Sequence, residues 1–440
     1  MNRLPFLLLA ALAASCGKGR AAPVASRPVP QGGVVVEAGQ KLQAIVDAAQ
    51  DGAVLTLADG AHRGPVVVDR GITLQGKVTA CIEGGGSGST VTLRGKASKL
   101  LGCTIRGSGD RLDTQDSAVH VEGEAIVVEG VRIEGALFGV LVHKSNAVVI
   151  RDNLILGNGA EAMGLRGDGI RLWETRGSEV SGNFVRDHRD VVVWYSPNNR
   201  VTGNHVERCR YGTHYMFSHD NVVEDNVYLD DVVGIFVMYS HDLAIRRNLL
   251  ARASGSAGIG LGVKESGNLR VEDNWFVQDT TGIYLDTSPL DPQHHDWFRG
   301  NVIRLCDTAL HLHAKTPRND FRDNLFADNG AVIAVGGEGD ALSCVFEGNY
   351  YDVYQGYDLD GDGFGDVPFE LRRLSSQMES RYPDLALLHG APVMAAVDMM
   401  SQLVPLFAPR TLMRDSRPRL DEPSPVFVPA PILEAERHAR

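Results

Sequence analysis

The sequence predicts an all-β protein: a right-handed parallel β-helix of about 14 coils, with an N-terminal capping helix and a short C-terminal helical extension. Asparagine recurs at steps of 21, 22 and 22 residues through Asn183, Asn204, Asn226 and Asn248. A short strand that begins with glycine, such as Gly169-Ile-Arg-Leu-Trp, recurs with the same period. A fixed period of this size indicates stacked units, and each coil has room for about three short strands with their turns.

The recurring asparagines are predicted to be structural. Asparagine tolerates the left-handed conformation of a tight turn, and a stack of inward amides can hydrogen-bond from coil to coil. We therefore exclude these residues as catalytic candidates. Beyond the regular steps, the same series includes Asn153, Asn274, Asn301, Asn324 and Asn349.

Residues 1–15 are predicted to be a secretory signal peptide. Arg3 precedes an apolar segment at residues 4–12, and small residues follow. This segment is too short to span a membrane as a mature helix. The residues that end at Cys16 resemble a bacterial lipobox, so Cys16 is a candidate for lipidation, and ordinary cleavage near Ala21 is the alternative. In both cases the protein leaves the cytoplasm, and residues 16–33 form a flexible tether.

The β-helix is predicted over residues 34–352. Gln40–Ala49 is expected to be a short helix that covers the open first coil, because an exposed strand edge invites aggregation. Its apolar face carries Leu42, Ile45 and Val46. The first strands are predicted at Val34–Val36, Ala53–Leu57, Pro65–Val68, Ile72–Leu74 and Thr79–Ile82.

Composition limits the function classes and leaves the state of the cysteines open. Charged residues make up 22% of the chain and the net charge is −12, so nucleic acid is excluded as a partner. Cys81 and Cys103 are one coil apart, which allows either a disulfide or two stacked buried thiols.

Residues 353–370 form an acidic loop with the pattern DxDGDG. Asp358, Asp360, Asp362 and Asp366 fall within nine residues, at the spacing of positions 1, 3, 5 and 9 of an EF-hand loop. Carboxylates are ligands that Ca²⁺ prefers, but position 12 of the loop is Phe369. The loop is therefore either a structural calcium site or an acidic turn without an ion.

Residues 371–414 are predicted to be a helical docking segment. Its apolar stripe includes Met394, Val397, Met400 and Leu403, and a methionine-rich stripe of this kind favours docking onto a partner. Packing of the stripe on the last coil is the alternative. Residues 415–440 are proline-rich and charged, and we expect them to be disordered.

Two runs of the sequence resemble the NosD family of periplasmic β-helix proteins, which are needed for copper maturation of nitrous oxide reductase. These are Gly-Asn-Tyr-Tyr at 348–351 with Asp-Leu-Asp-Gly-Asp-Gly-Phe-Gly-Asp-Val-Pro-Phe at 358–369, and the tail that follows Pro383. The resemblance covers nearly all of the mature chain. It departs from the family at Tyr351 and Phe364, where tryptophan and isoleucine are usual, and at the lipobox.

The resemblance implies a role that is not catalytic. NosD-like proteins work with an ABC-type ATPase and its membrane subunit, and they receive copper from a lipoprotein chaperone. The C-terminal helices would then dock on the membrane subunit. Localisation in the periplasm follows, with membrane anchoring if Cys16 is lipidated.

The outward side chains of the glycine-led strands form two columns along the stack, two and four residues after the glycine. These columns allow the copper role to be weighed against a polysaccharide-acting enzyme. We expect Gly260 to follow Phe236 in one column and Gly262 to follow Met238 in the other. A polysaccharide lyase or hydrolase would need several carboxylates on one face, and this face offers only Asp286, five coils from Arg171. Because Trp173 and Trp194 could stack on sugars, a carbohydrate-binding or polysaccharide-degrading protein is the alternative function.

The copper site is predicted on the same face. Cu(I) is soft and prefers thioether and imidazole ligands. Met216 and Met238 are 22 residues apart in one outward column, and His214 shares the strand of Met216, so the three would lie within about 5–7 Å. The alternative is a patch that a partner protein buries without a metal. Three other outward histidines lie in coils too distant for this ion: His143, His311 and His313.

Overall fold

The computed structural model describes residues 33–313, 316–336, 340–372, 391–403 and 409–432, with isolated positions between 374 and 388. The chain divides into two compact units. Their described parts are residues 33–232, the N-terminal unit, and the described positions of 233–432, the C-terminal unit. The predicted signal peptide, Cys16 and the tether lie outside the described residues, apart from Gly33.

The predicted fold class is confirmed. Each unit is built from three sheets that wind as a right-handed β-helix, and the chain makes about 14 coils. The strands pair in parallel, except that Phe369–Leu371 is antiparallel to Met413–Asp415. Each full coil contributes one short strand to each sheet, and apolar side chains from all three sheets fill the interior. Alternation along the strands places one set of side chains inside and the other set on the surface.

The N-terminal unit contains the following strands. The first sheet has Val34–Val36, Val54–Leu57, Thr73–Gln75, Lys99–Leu101, Val127–Glu129, Val149–Arg151, Glu179–Ser181, Arg200–Thr202 and Val222–Glu224. The second has Gly60–Arg63, Ala80–Glu83, Thr104–Arg106, Arg132–Glu134, Leu154–Leu156, Phe184–Arg186, His205–Glu207 and Val227–Leu229. The third, which holds the glycine-led strands, has Val66–Val68, Val91–Leu93, Ser117–Val121, Phe138–His143, Ile170–Trp173, Asp190–Trp194 and Tyr211–Met216.

The C-terminal unit repeats this arrangement. Its first sheet has Ala244–Arg246, Arg270–Glu272, Asp296–Arg299, Asn319–Arg322, Val345–Glu347, Met413–Asp415 and Phe369–Leu371. The second has Leu249–Ala251, Trp275–Val277, Val302–Arg304, Leu325–Ala327 and Tyr350–Tyr351. The third has Val233–Met238, Ile259–Lys264, Thr281–Asp286, Thr308–His313 and Ala331–Gly336.

The predicted capping helix is confirmed with shorter bounds, Leu42–Ala48. Its Leu42 and Val46 are buried, and the side-chain amide of Gln43 bonds both to the carbonyl and to the N–H of Val67. The early strands lie within one residue of their predicted ends. Strand Gly60–Arg63 was not predicted, because its four residues include no large apolar side chain to mark the alternation.

The asparagine ladder is confirmed in both units. In the N-terminal unit the side-chain amide of Asn183 donates to Oδ1 of Asn204 at 2.9 Å, and Asn204 donates to Asn226 at 3.0 Å. In the C-terminal unit the same bonds join Asn248 through Asn349. The expectation that the asparagine itself is left-handed is wrong. The preceding residue has the positive φ, as at Gly182 (+63°), so the amide turns inward from ordinary backbone.

The end of the β-helix is closed by a strand from the C-terminal tail. Asp415 is buried and accepts hydrogen bonds from the side-chain amide of Asn349 at 2.8 Å and the hydroxyl of Tyr351 at 3.1 Å. It therefore provides the last acceptor of the ladder. The prediction that residues 415–440 are disordered is wrong for 415–432, where Phe427 also accepts a bond from the indole of Trp275. Residues 433–440 lie outside the described residues.

The cysteines favour the thiol alternative. Cys81, Cys103, Cys209, Cys306 and Cys344 are all free and buried. Register explains the absence of a bond, since Cys81 lies opposite Thr104 and not opposite Cys103. Burial raises the pKa of the Cys103 thiol to about 12, so this thiol is inert. Within the described residues no helix combines the length and the apolar character needed to cross a bilayer.

Candidate functional site

The outward face of the third sheet in the N-terminal unit has the predicted register. Trp173 lies beside Trp194, which lies beside Met216; in the parallel column, Arg171 lies beside Val192, which lies beside His214. In the C-terminal unit, Phe236 lies beside Gly262 and Met238 beside Lys264. The predicted placement of Gly260 and Gly262 is therefore wrong by two residues, because a longer turn precedes this strand and Gly260 takes the place of the strand glycine.

Arg171 is held too firmly to act as a base. Its guanidinium is buried and bonds to the carboxylate of Asp168 at 2.6 Å. The same guanidinium lies 5.5 Å from the ring centre of Trp194 and 5.8 Å from that of Trp173. A cation fixed by a buried carboxylate and by aromatic faces supports the packing of this face.

His214 lies in an aromatic pocket. The indole of Trp194 donates to its Nδ1 at 3.3 Å, and the ring of Tyr211 lies 4.7 Å away, centre to centre. The side chain is only 6% exposed, and burial lowers the pKa of His214 to about 4. The imidazole is therefore neutral at neutral pH, which is the state that binds a metal.

The predicted copper ligands belong to different units. His214 and Met216 are two residues apart on one strand of the N-terminal unit, and both project from its outer face. Met238 ends the first strand of the C-terminal unit and is half-buried. The site made of His214, Met216 and Met238 stays a prediction.

Two exposed aromatic residues adjoin this face and were not predicted from the sequence. Tyr195 and Phe217 stack with ring centres 5.3 Å apart and planes 10° apart. They are 44% and 42% exposed, and both have positive φ, which a bulky side chain rarely adopts. They are 22 residues apart and directly follow Trp194 and Met216, and this spacing is the sequence signal from which the pair could have been predicted. The pair extends the aromatic surface beside Met216.

The acidic loop brings three of its four predicted carboxylates together. Ligand oxygens of Asp358, Asp360 and Asp362 lie within 4.8 Å of one another, whereas Asp366 is outside this group and accepts from the N–H of Leu359. Asp358 also accepts from the backbone N–H groups of residues 361, 362 and 363. Arg417 bonds to Asp362 at 2.5 Å. Oxygen donors of this kind fit Ca²⁺, but part of their charge is already compensated, and calcium binding stays a prediction.

The predicted docking segment contains a helix over Pro392–Leu403. Met394 is buried, so the prediction that it forms part of an exposed stripe is wrong. Val397 is half-buried and Met400 is 53% exposed. The side chain of Leu403 lies outside the described residues. Among the described side chains of this helix, the large apolar ones that are exposed are Val393, Met399 and Met400.

Comparisons with known proteins bear on these features together. The model of the family described as "Periplasmic copper-binding protein (NosD)" matches residues 159–356. A relative from Pseudomonas aeruginosa, titled "Probable ABC transporter binding protein NosD", is 27% identical over 84% of this chain and 88% of its own length. The resemblance to the NosD family is confirmed. A NosD protein of Stutzerimonas stutzeri with the same title is 26% identical over 84% of this chain and 87% of its own length.

Solved structures share the fold of this NosD-like chain. The catalytic unit of a GH87 α-1,3-glucanase from Streptomyces thermodiastaticus has a TM-score of 0.58 at 17% identity, covering 75% of this chain and 68% of the enzyme. The A-module of the mannuronan C-5 epimerase AlgE6 from Azotobacter vinelandii has a TM-score of 0.51 at 15% identity, covering 66% and 90%. At these identities the similarity concerns the β-helix alone.

Proposed function

We propose that this chain is a periplasmic accessory protein that handles copper during maturation of nitrous oxide reductase. The main observation that supports this proposal is the family match over residues 159–356, a range that contains His214, Met216 and Met238. We further propose the partners that the resemblance implies: the membrane subunit and ATPase of an ABC-type transporter, a copper chaperone lipoprotein, and the reductase. The titles of both NosD relatives support the transporter.

The ligand chemistry supports copper as a transient cargo. His214 offers a neutral imidazole, and Met216 offers a thioether on the same face of the same strand. Met238 repeats the position of Met216 after one 22-residue period, which is the reason to include it. A set without a thiolate would hold Cu(I) weakly, which suits transfer to another protein. The exposed rings of Tyr195 and Phe217 beside it suit a protein partner that covers the site during transfer.

We propose that the role is not catalytic. Arg171 is tied to Asp168 and buried, so it is a poor proton acceptor, and Lys264 on the outward face of the C-terminal unit pairs with Asp286 at 3.7 Å. The alternative is a carbohydrate-binding or polysaccharide-degrading protein, favoured by the half-buried rings of Trp173 and Trp194 at 5.6 Å. Release of uronate from pectin or alginate by the purified chain would support that alternative.

Docking and anchoring complete the proposal. Val393, Met399 and Met400 give the helix Pro392–Leu403 an exposed apolar surface for the membrane subunit. Lipidation of Cys16 would keep the chain at the membrane, and the helix would add a second contact there.

The test is titration with Cu(I) against a competing chelator. We expect the double substitution Met216→Leu with Met238→Leu to weaken Cu(I) binding at least tenfold, since leucine fills the same space without a sulfur ligand. Met163→Leu is the matched control, because Met163 is a methionine outside the outward columns. Equal affinities in the wild type and the double variant would reject these two thioethers as ligands.

A further inference from the structure

A pair of histidines on the C-terminal unit has the features of a second metal site. His311 and His313 are alternate residues of strand Thr308–His313, between which Leu312 points into the core. Both imidazoles therefore project from the outer face of one strand. His311 is half-buried and His313 is exposed.

The residues of the neighbouring strand that lie beside both rings are small. On the next strand, Ala334 lies beside His311 and Gly336 beside His313. A Cβ placed on Gly336 would lie 3.0 Å from Nδ1 of His313 and 3.7 Å from Nε2 of His311. A nitrogen of each ring therefore lies close to the position that a side chain at residue 336 would occupy, and the glycine supplies no such side chain. A metal bound by imidazole needs nitrogens about 2.0–2.1 Å away, so small rotations of the two side chains would place an ion there.

The residues around His311 and His313 favour the binding of a cation and hold the two imidazole rings in place. No ring nitrogen of either histidine has a hydrogen-bond partner among the described residues, and none is sealed from solvent. Tyr284 packs edge-on against His311 with ring centres 5.2 Å apart. On the strand of Tyr284, Asp286 lies beside His313 and carries a negative charge that Lys264 shares at 3.7 Å.

We propose that His311 and His313 bind a copper ion through two imidazole nitrogens. This inference rests on the proposed copper function. It adds a second copper site, within the C-terminal unit, whose ligands are imidazoles and not the thioethers of Met216 and Met238. Imidazole binds copper in both oxidation states, and Cu(II) is the divalent ion that nitrogen ligands hold most tightly. Ca²⁺ and Mg²⁺ are excluded as occupants because they prefer oxygen ligands.

The test uses the full mature chain with a histidine-free affinity tag and one equivalent of Cu(II), followed by electron paramagnetic resonance. We expect nitrogen hyperfine structure from the two imidazoles in the wild type. The double substitution His311→Ala with His313→Ala should lose this signal and weaken Cu(II) binding more than about tenfold, since even outer-shell partners of metal ligands are worth 10–100-fold. The conservative pair His311→Gln with His313→Gln should behave alike if the alanine variant folds poorly.

Two controls separate this site from the rest of the proposal. The pair His205→Ala with His295→Ala removes two half-buried histidines elsewhere and should keep the signal. The pair Met216→Leu with Met238→Leu should also keep it. An unchanged spectrum in the His311 and His313 variants would overturn this inference and leave the proposed function intact. A wild type that binds neither Cu(I) nor Cu(II) would overturn both.

Discussion

Asn204 offers a direct test of the ladder that holds the coils together. Its Oδ1 accepts bonds from the backbone N–H of Asn183 at 3.0 Å and from the side-chain amide of Asn183 at 2.9 Å. Its own amide donates to the carbonyl of Val180 at 2.9 Å and to Oδ1 of Asn226 at 3.0 Å. All of these residues belong to the N-terminal unit and are buried, so water cannot replace a lost partner.

Asn204→Ala should lower the free energy of unfolding by about 2–6 kcal/mol. The substitution leaves two buried donors of Asn183 without acceptors, and each such group costs about 1–3 kcal/mol. Urea unfolding followed by circular dichroism measures the loss. Asn158→Ala is the matched control, because Asn158 is exposed and should change stability by no more than about 0.5 kcal/mol.

Asn204→Asp separates the acceptor role of the Asn204 side chain from its donor role. The carboxylate keeps an acceptor for Asn183 but places a second oxygen against the oxygens of Val180 and Asn226. Burial should raise the folded-state pKa of this carboxyl above its unfolded value. The variant should therefore keep its stability at low pH, where the carboxyl is protonated, and lose stability as pH rises. We expect a larger deficit at pH 8 than at pH 5. A loss from Asn204→Ala no greater than that from Asn158→Ala would refute the reasoning.

Three further predictions follow from the described contacts. Asp360→Asn should lower thermal stability only when Ca²⁺ is present, and Asp362 is avoided because it pairs with Arg417; an equal calcium effect in the wild type and the variant would contradict this. Met400→Asp should leave the β-helix folded and abolish co-purification with the membrane subunit, whereas unfolding would indicate internal packing. Burial lowers the pKa of His188 to about 4, so between pH 6.5 and 4 the wild type should lose stability relative to His188→Gln; parallel melting curves would disprove it.

Much of the fold was predictable because its signals are periodic. The ladder asparagines and the strand glycines recur at the coil length, so strand positions and register follow from counting. Counting residues failed where a turn changes length, as before Ile259–Lys264. A longer turn shifts the following strand along the sequence while its pairing with the neighbouring strand is kept. Counting also failed at the tail, where composition indicated disorder but Asp415 completes the ladder.

The candidate sites were less predictable, because alternation shows which side chains point outward but not how they pack there. His214 was predicted to lie on the outward face, yet neighbouring rings cover it to 6% exposure. Met394 was predicted on an exposed stripe and is buried. His311 and His313 were set aside for their distance from Met216, whereas their significance depends on the small side chains of the adjacent coil, Ala334 and Gly336.

The copper content of nitrous oxide reductase is the most direct measure of the proposed role. The reductase would be purified from the source organism with and without this chain, and its copper would be quantified per polypeptide. We predict a reductase of normal abundance that lacks copper when the chain is absent, and full copper loading when the chain is restored. A reductase that is fully loaded with copper in the absence of the chain would contradict the proposed function.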